Sequence, residues 1–314
     1  MKTEQPLHHR NKGVSSSLSA KPAAYVILLL LTYSLGYFSH SSPTSFPPPS
    51  QPASSATLRI STNSPELDQF RITTRCADPL SPKVVRRTII NRLFNGTSPF
   101  HGFPPAHAAG KLSRSKKVKG WGSNGAVFEN LIRRVRPETI VEVGTFLGAS
   151  SLHMAELTRR FGLKTQILCI DDFRGWAGFR DRFNTTPMVN GDVFLYYQFL
   201  QNAVTRNLTE SVLPVPFSSG SGLIWLCELG VFADLVEIDA GHDFLSAWSD
   251  INRGYRILRP GGVIFGHDYF TAADNRGVRR ALDLFARIHS LKDDSYSSCT
   301  PCVRNKIFQK TSNC

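Results

Sequence analysis

Two acidic residues and two histidines occupy similar positions in the second half of the chain. Asp239 ends one short apolar run, with His242 three residues later, and His267 and Asp268 end the next run. Carboxylate oxygens and imidazole nitrogens are suitable ligands for Mg²⁺ or another divalent ion. Because parallel strands bring their carboxyl ends to one edge of a sheet, we expect a metal site made of Asp239, His267 and Asp268.

His242 is predicted to act as a general base beside that metal. Imidazole titrates near neutral pH, so it can take a proton from an acceptor hydroxyl held on the ion. The resulting alkoxide would then be a strong nucleophile. The structural alternative is that Asp239 caps a helix and that His242 is an ordinary surface residue.

A glycine-containing turn lies near the middle of the chain. Residues 140–143 predict a buried strand, and Gly144 and Gly148 form a tight turn before a helical pattern. Glycines let a backbone approach a ligand, and the following helix offers unpaired N–H groups. Glu142 suits a hydroxyl or an amine but would repel a phosphate, which disfavours a dinucleotide loop. A plain strand-to-helix turn is the alternative.

Asp171 comes directly after the next predicted strand, residues 166–170. It lies 23 positions after Gly148 (171 − 148), near the offset of roughly 20 at which nucleoside-binding α/β folds place a ribose-binding carboxylate. Two oxygens of one carboxylate can accept from both ribose hydroxyls. The alternative is that Asp171 merely ends its strand.

These motifs resemble those of a known enzyme superfamily. The sequence E-V-G-T-F-L-G-A-S at 142–150 resembles the first motif of class I S-adenosylmethionine (SAM) methyltransferases, especially catechol and caffeoyl-CoA O-methyltransferases. D-x-x-H at 239–242, L-R-P-G-G at 258–262 and H-D-Y at 267–269 resemble the branch with macrolide-sugar O-methyltransferases. The resemblance extends over about residues 125–291.

The resemblance implies a doubly wound, Rossmann-like α/β sheet and a SAM-dependent, metal-assisted O-methyltransferase acting on a sugar or another small polar acceptor. It implies that the cofactor is bound by Glu142, Gly144, Thr145, Gly148, Ser150 and Asp171. It also implies that His242 is the base and that Asp239 and Asp268 are metal ligands. His267 stands where that branch often has an acidic residue, so metal binding is less firmly implied than SAM binding.

Two other functions stay open. The formal charge of +13 is compatible with an RNA methyltransferase, although D-A-G-H at 239–242 differs from the N-P-P-Y type of base-methylating enzymes, and we do not expect nucleic acid as a partner. A catalytically inactive binding protein is the other. Beyond the helix at 278–291 only residues 306–310 form a weak strand candidate, so we expect the closing β-hairpin to be absent or altered. An unpaired sheet edge would favour a homodimer.

The N-terminal region predicts a membrane anchor. Residues 23–38 carry no charge and, as a helix, span about 24 Å, against roughly 30 Å for a hydrocarbon core. Basic residues precede them, which predicts a type II protein of the ER or Golgi with a lumenal body; a cleaved signal or a transit peptide is the alternative. The predicted segments are 1–22 (cytosolic leader), 23–40 (anchor), 41–75 (Ser/Pro-rich stem), 76–124 (helical extension), 125–291 (methyltransferase domain) and 292–314 (cysteine-containing tail).

The six cysteines fit a lumenal body without requiring one. Cys169 and Cys227 lie in apolar patterns and are expected to be free buried thiols. The other four lie in polar segments and could pair in three ways: Cys76, Cys299, Cys302 and Cys314. Glycosylation sequons that fit a lumenal glycoprotein begin at Asn95, Asn184 and Asn207.

Overall fold

The computed structural model describes residues 75–115, 117–120, 123–176, 178–291 and 306–309. The predicted leader and anchor, nearly all of the stem and most of the tail lie outside these residues. Within them, no helix combines the length and the hydropathy that a membrane span requires.

Helices and strands alternate along the described chain. In order they are α1 (Pro82–Leu93), α2 (Ala106–Ala109), α3 (Ala126–Val135), β1 (Thr139–Val143), α4 (Ala149–Arg160), β2 (Gln166–Ile170), α5 (Phe179–Arg182), β3 (Met188–Val189), β4 (Asp192–Val193), α6 (Leu195–Thr205), β5 (Val212–Val215), α7 (Ser219–Glu228), β6 (Ala233–Ile238), α8 (Phe244–Arg256), β7 (Leu258–Gly266), α9 (Ala273–Ile288) and β8 (Lys306–Gln309).

The main sheet has the strand order β5-β2-β1-β6-β7-β8. Its first five strands are parallel, and β8 pairs antiparallel with β7. Helices cover both faces, so β1 and β2 are buried along their whole length. Alternate residues therefore enter two cores: Ile140 belongs to one and Val141 to the other. The predicted doubly wound α/β sheet is confirmed.

The closing β-hairpin was expected to be absent or altered, and the described residues contain one strand at this end of the sheet. The weak candidate near residue 306 forms β8, whose Phe308 is buried, and β8 covers the edge of β7. Among the described residues the sheet gains this one antiparallel strand and no second one. This strand is stabilised by its hydrogen bonds and apolar contact with β7, which cannot be read from the short local sequence.

The prediction for Cys227 was wrong. Cys227 forms a disulfide with Cys76, because the chain at the start of the described body runs beside the end of α7. The Ala77 N–H donates to the Cys227 carbonyl at 3.0 Å and fixes this approach. Cys169, in β2, is a free buried cysteine as predicted.

Candidate active site

The carboxyl ends of β1, β2, β6 and β7 open into one cleft of about 1020 Å³. All of the predicted site residues except Glu142 and Gly148 line it: Gly144, Thr145, Ser150, Asp171, Asp239, His242, His267 and Asp268. The sheet therefore brings together side chains that are separated by more than 100 residues in the sequence. A cleft of this size exceeds most single-ligand pockets, which hold roughly 300 to 1,000 Å³.

The two glycines of the turn are required by the protein's own packing. Both have a positive φ, 92° at Gly144 and 84° at Gly148. A Cβ at Gly144 would overlap the carbonyl oxygen of Asp239, and one at Gly148 would lie 2.7 Å from the ring of Phe199. Gly144 thus lets the turn after β1 pack against the chain that leaves β6, while Gly148 begins α4 beneath the cleft.

Glu142 lies beneath the cleft rather than in its wall. It is wholly buried and accepts hydrogen bonds from Thr145 Oγ1 at 2.6 Å and from Ser150 Oγ. Burial raises the pKa of Glu142 to about 7. Since Thr145 and Ser150 line the cleft, Glu142 positions two hydroxyl groups of residues 144–150, which we call the cofactor turn after its predicted role.

Asp171 joins the cofactor turn to the end of β2. Its Oδ2 accepts from the Phe146 N–H and its Oδ1 from the Phe173 N–H, both at 2.7 Å. Burial raises the pKa of Asp171. Each carboxylate oxygen has a second lone pair, so Asp171 can still accept from hydroxyls of a ligand in the cleft.

Asp239, His242 and Asp268 form a compact group at the other end of the cleft. One ligand atom from each lies within 4.8 Å of the other two, a spacing that a single metal ion can bridge. His242 Nε2 lies 3.2 Å from Asp268 Oδ2. His267 lines the same cleft but is not a member of this group. Asp239 caps no described helix; the residue that caps α8 is Asp243.

The electrostatics of this group are set by one hydrogen bond and by burial. The bond to His242 lowers the pKa of Asp268 to about 2, and the same bond raises the pKa of His242. Burial raises the pKa of Asp239. Two carboxylates and an imidazole form a donor set that fits a divalent cation.

One buried carboxyl was missed by the sequence interpretation. Glu237 faces Glu142 across the β1–β6 pair and is wholly buried. Neither of its oxygens has a hydrogen-bond partner in the described part of the chain, and burial raises its pKa well above the usual range. Glu237 precedes Asp239 by two residues, and the two-residue period of a strand was the signal that could have placed both on one face.

A second feature was missed: an aromatic cluster stands beside the cofactor turn. This aromatic wall consists of Phe146 and Trp176, which line the cleft, and of Phe179 and Phe183, which are buried and pack against them. The Phe146 ring centroid lies 5.0 Å from that of Phe183 and 5.5 Å from that of Trp176. Lys119 and Arg182 line the cleft on the same side.

Comparison with known proteins finds a family match and several similar solved structures. Residues 141–269 match the family model described as "Methyltransferase domain". Among solved structures, an O-methyltransferase from Bacillus cereus in complex with SAH is 18% identical, with a TM-score of 0.43 and coverage of 72% of this chain and 96% of that chain. TomG, an O-methyltransferase from Streptomyces achromogenes involved in tomaymycin synthesis, solved with SAM, is 15% identical, with a TM-score of 0.45 and coverage of 66% and 91%. No curated protein matches.

The matched segment contains the cofactor turn, Asp171 and the acidic group at the ends of β6 and β7. Strand order, turn and family match together identify it as a SAM-dependent methyltransferase domain. The resemblance seen in the sequence motifs is thereby confirmed.

Proposed function

We propose that this protein is a divalent-metal-assisted O-methyltransferase that transfers the methyl group of SAM to a hydroxyl of a sugar or another small polar acceptor. The supporting observation is the convergence of Asp239, His242 and Asp268 within 4.8 Å in the same cleft as the cofactor turn. A cofactor site and a proton-handling site in one cleft are what methyl transfer to a hydroxyl requires.

Residues around the turn serve the cofactor in this proposal. Asp171 accepts hydrogen bonds from the ribose hydroxyls. It uses the carboxylate lone pairs that are not already occupied by the N–H groups of Phe146 and Phe173. Thr145 and Ser150, held by Glu142, present their hydroxyl groups to the cleft. SAM, when bound, supplies a methyl group activated by the sulfonium charge.

Residues at the ends of β6 and β7 serve the acceptor. Asp268 orients His242 through one ring nitrogen and stabilises its protonated form, and the other ring nitrogen takes the hydroxyl proton. Asp239 and Asp268 are the carboxylates that would hold a divalent ion, with His267 nearby. Such an ion would lower the pKa of the bound hydroxyl.

The test is calorimetric titration of the purified protein with SAM, with and without Mg²⁺. We expect Asp171→Ala to abolish SAM binding and Asp239→Ala to remove only the response to Mg²⁺. Asp192→Ala, which removes an exposed carboxylate outside the cleft, is the control and should bind as the wild type does. A folded wild-type protein that binds no SAM would refute the proposal.

His242→Ala distinguishes its two chemical roles. If His242 is the base, the variant keeps SAM binding and the Mg²⁺ response and loses turnover by about 10²-fold or more. If it is a metal ligand instead, the Mg²⁺ response is lost as in Asp239→Ala.

For location, we propose a single-pass type II protein of the ER or Golgi with its body in the lumen. The disulfide between Cys76 and Cys227 supports an oxidising compartment. The first residues of the three sequons, Asn95, Asn184 and Asn207, are exposed and accessible to glycosylation. Loss of mass on glycosidase treatment of protein from a eukaryotic host tests this proposal.

A further inference from the structure

The aromatic wall is accompanied by two cations that face the cleft. Lys119 and Arg182 both line it, and both are exposed. Lys119 Nζ lies 5.6 Å from the ring centroid of Phe183, and Arg182 precedes Phe183 at the end of α5. The chain therefore brings two positive charges, more than 60 residues apart in sequence, to the lining of the same cleft.

Arg182 differs in its contacts from its neighbour in α5. Arg180 donates to the carbonyl oxygens of Thr186 at 2.7 Å and Asn184 at 3.2 Å, so it holds the following loop. Arg182 has no hydrogen bond or ion pair with any described residue, and it lines the cleft. A guanidinium with this freedom can form a forked pair with an incoming oxyanion.

The cleft lining thus carries charges of both signs. Asp239 and Asp268 stand on one side, at the ends of β6 and β7, whereas Lys119 and Arg182 stand towards the aromatic wall, where Asp171 and Asp172 also line the cleft. An acceptor that presents a hydroxyl to the first side would place its remaining substituents towards the second. Trp176, which is 45% exposed there, offers a flat apolar surface to a ring.

We propose that Lys119 and Arg182 bind an anionic oxygen group of the acceptor, with Trp176 packing against the ring that carries it. The acceptor class is then an acidic sugar, bearing a carboxylate, a sulfate or a phosphate, rather than a neutral one. This inference rests on the proposed methyl transfer and adds the substrate class to it.

The experiment uses four probes that share one ring and differ at its C6 substituent: glucuronate, glucose 6-sulfate, glucose 6-phosphate and glucose. Each is titrated calorimetrically into the protein loaded with the product SAH. We expect at least one acidic probe to bind roughly tenfold more tightly than glucose, since two exposed ion pairs contribute about this much together. The preferred probe identifies the anion.

Two double variants with equal loss of charge provide the matched comparison. Lys119→Ala/Arg182→Ala should remove the preference for the acidic probe and leave SAM affinity unchanged. Lys117→Ala/Arg174→Ala removes two exposed cations from the same segments, outside the cleft lining, and should retain the preference.

Three results would overturn the inference: equal binding of glucose and the acidic probes, no binding of any acidic probe at millimolar concentration, or a preference that survives in Lys119→Ala/Arg182→Ala. Failure of the proposed methyl transfer is seen separately, as absence of SAM binding by the wild type. The four probes can still be titrated into the unloaded protein in that case.

Discussion

Glu142 and Glu237 stand opposite each other on β1 and β6, and both are wholly buried, yet their surroundings differ. Glu142 accepts from two hydroxyl groups, of Thr145 and Ser150. Glu237 has no hydrogen-bond partner among the described residues. Burial raises both pKa values, but for Glu142 the hydroxyl donors oppose the rise, and its pKa is about 7.

The difference shows that burial alone does not make a carboxyl part of a site. Donors placed around Glu142 connect it to the cofactor turn, so its loss should affect ligand binding as well as stability. Glu237, whose pKa is raised by burial, contributes an unsatisfied polar group to the core, which costs stability. Removing the carboxyl should therefore lower the unfolding free energy at position 142 and raise it at position 237.

The largest effect is expected for Glu142→Leu. Both hydroxyl groups lose their acceptor, so the unfolding free energy should fall by about 2 to 4 kcal/mol. SAM affinity should fall as well, because Thr145 and Ser150 turn away from the cleft. Denaturant unfolding and SAM titration measure the two effects. Glu142→Gln, which keeps one acceptor oxygen, should lose less of both; equal losses in the two variants would contradict this account.

A smaller effect of opposite sign is expected for Glu237→Leu. Removing an unpartnered buried carboxyl and filling its space with an apolar side chain should raise the unfolding free energy by about 1 kcal/mol. SAM affinity should not change. The measurement is the same pair of titrations, and a loss of SAM binding would show that Glu237 belongs to the site after all.

The third effect concerns the pH dependence of stability. A carboxyl whose pKa is raised on folding holds a proton that the unfolded chain releases, so stability falls as pH rises above about 4.5, the usual value for Glu. The part due to Glu142 should end near pH 7, and Glu237 should add a decline of the same sign.

Glu237→Gln and Glu142→Gln should therefore each flatten part of this decline. Unfolding curves collected from pH 5 to pH 8 in metal-free buffer provide the measurement. Parallel wild-type and Glu237→Gln profiles would contradict a raised pKa of Glu237.

The features that depend on local sequence patterns could be predicted from the sequence alone. The glycines at 144 and 148 and the acidic residues at 171, 239 and 268 were found because a parallel sheet places the residues after each strand at one edge. Residues that follow different strands in the sequence therefore lie close together in the structure. Of the glycines and acidic residues just named, all except Gly148 line the cleft.

Features that depend on distant parts of the chain were missed. Cys76 and Cys227 are 151 positions apart, and no local pattern records their pairing. The membership of His242, rather than His267, in the acidic group depends on how two loops face each other, and Asp268 has a φ of 61° that the sequence does not reveal. Glu237 was overlooked because its strand reads as an apolar run.

The close approach of Gly144 to the Asp239 carbonyl limits how this enzyme can be altered. The cofactor turn and the chain leaving β6 fit against each other through main-chain atoms, so neither can be exchanged as an independent module. Grafting an acceptor-binding loop from another enzyme after β6 would have to preserve the backbone path at residue 239 as well as the side chains. Directed evolution of acceptor preference should therefore favour substitutions at cleft-lining side chains outside the cofactor turn, such as Trp176.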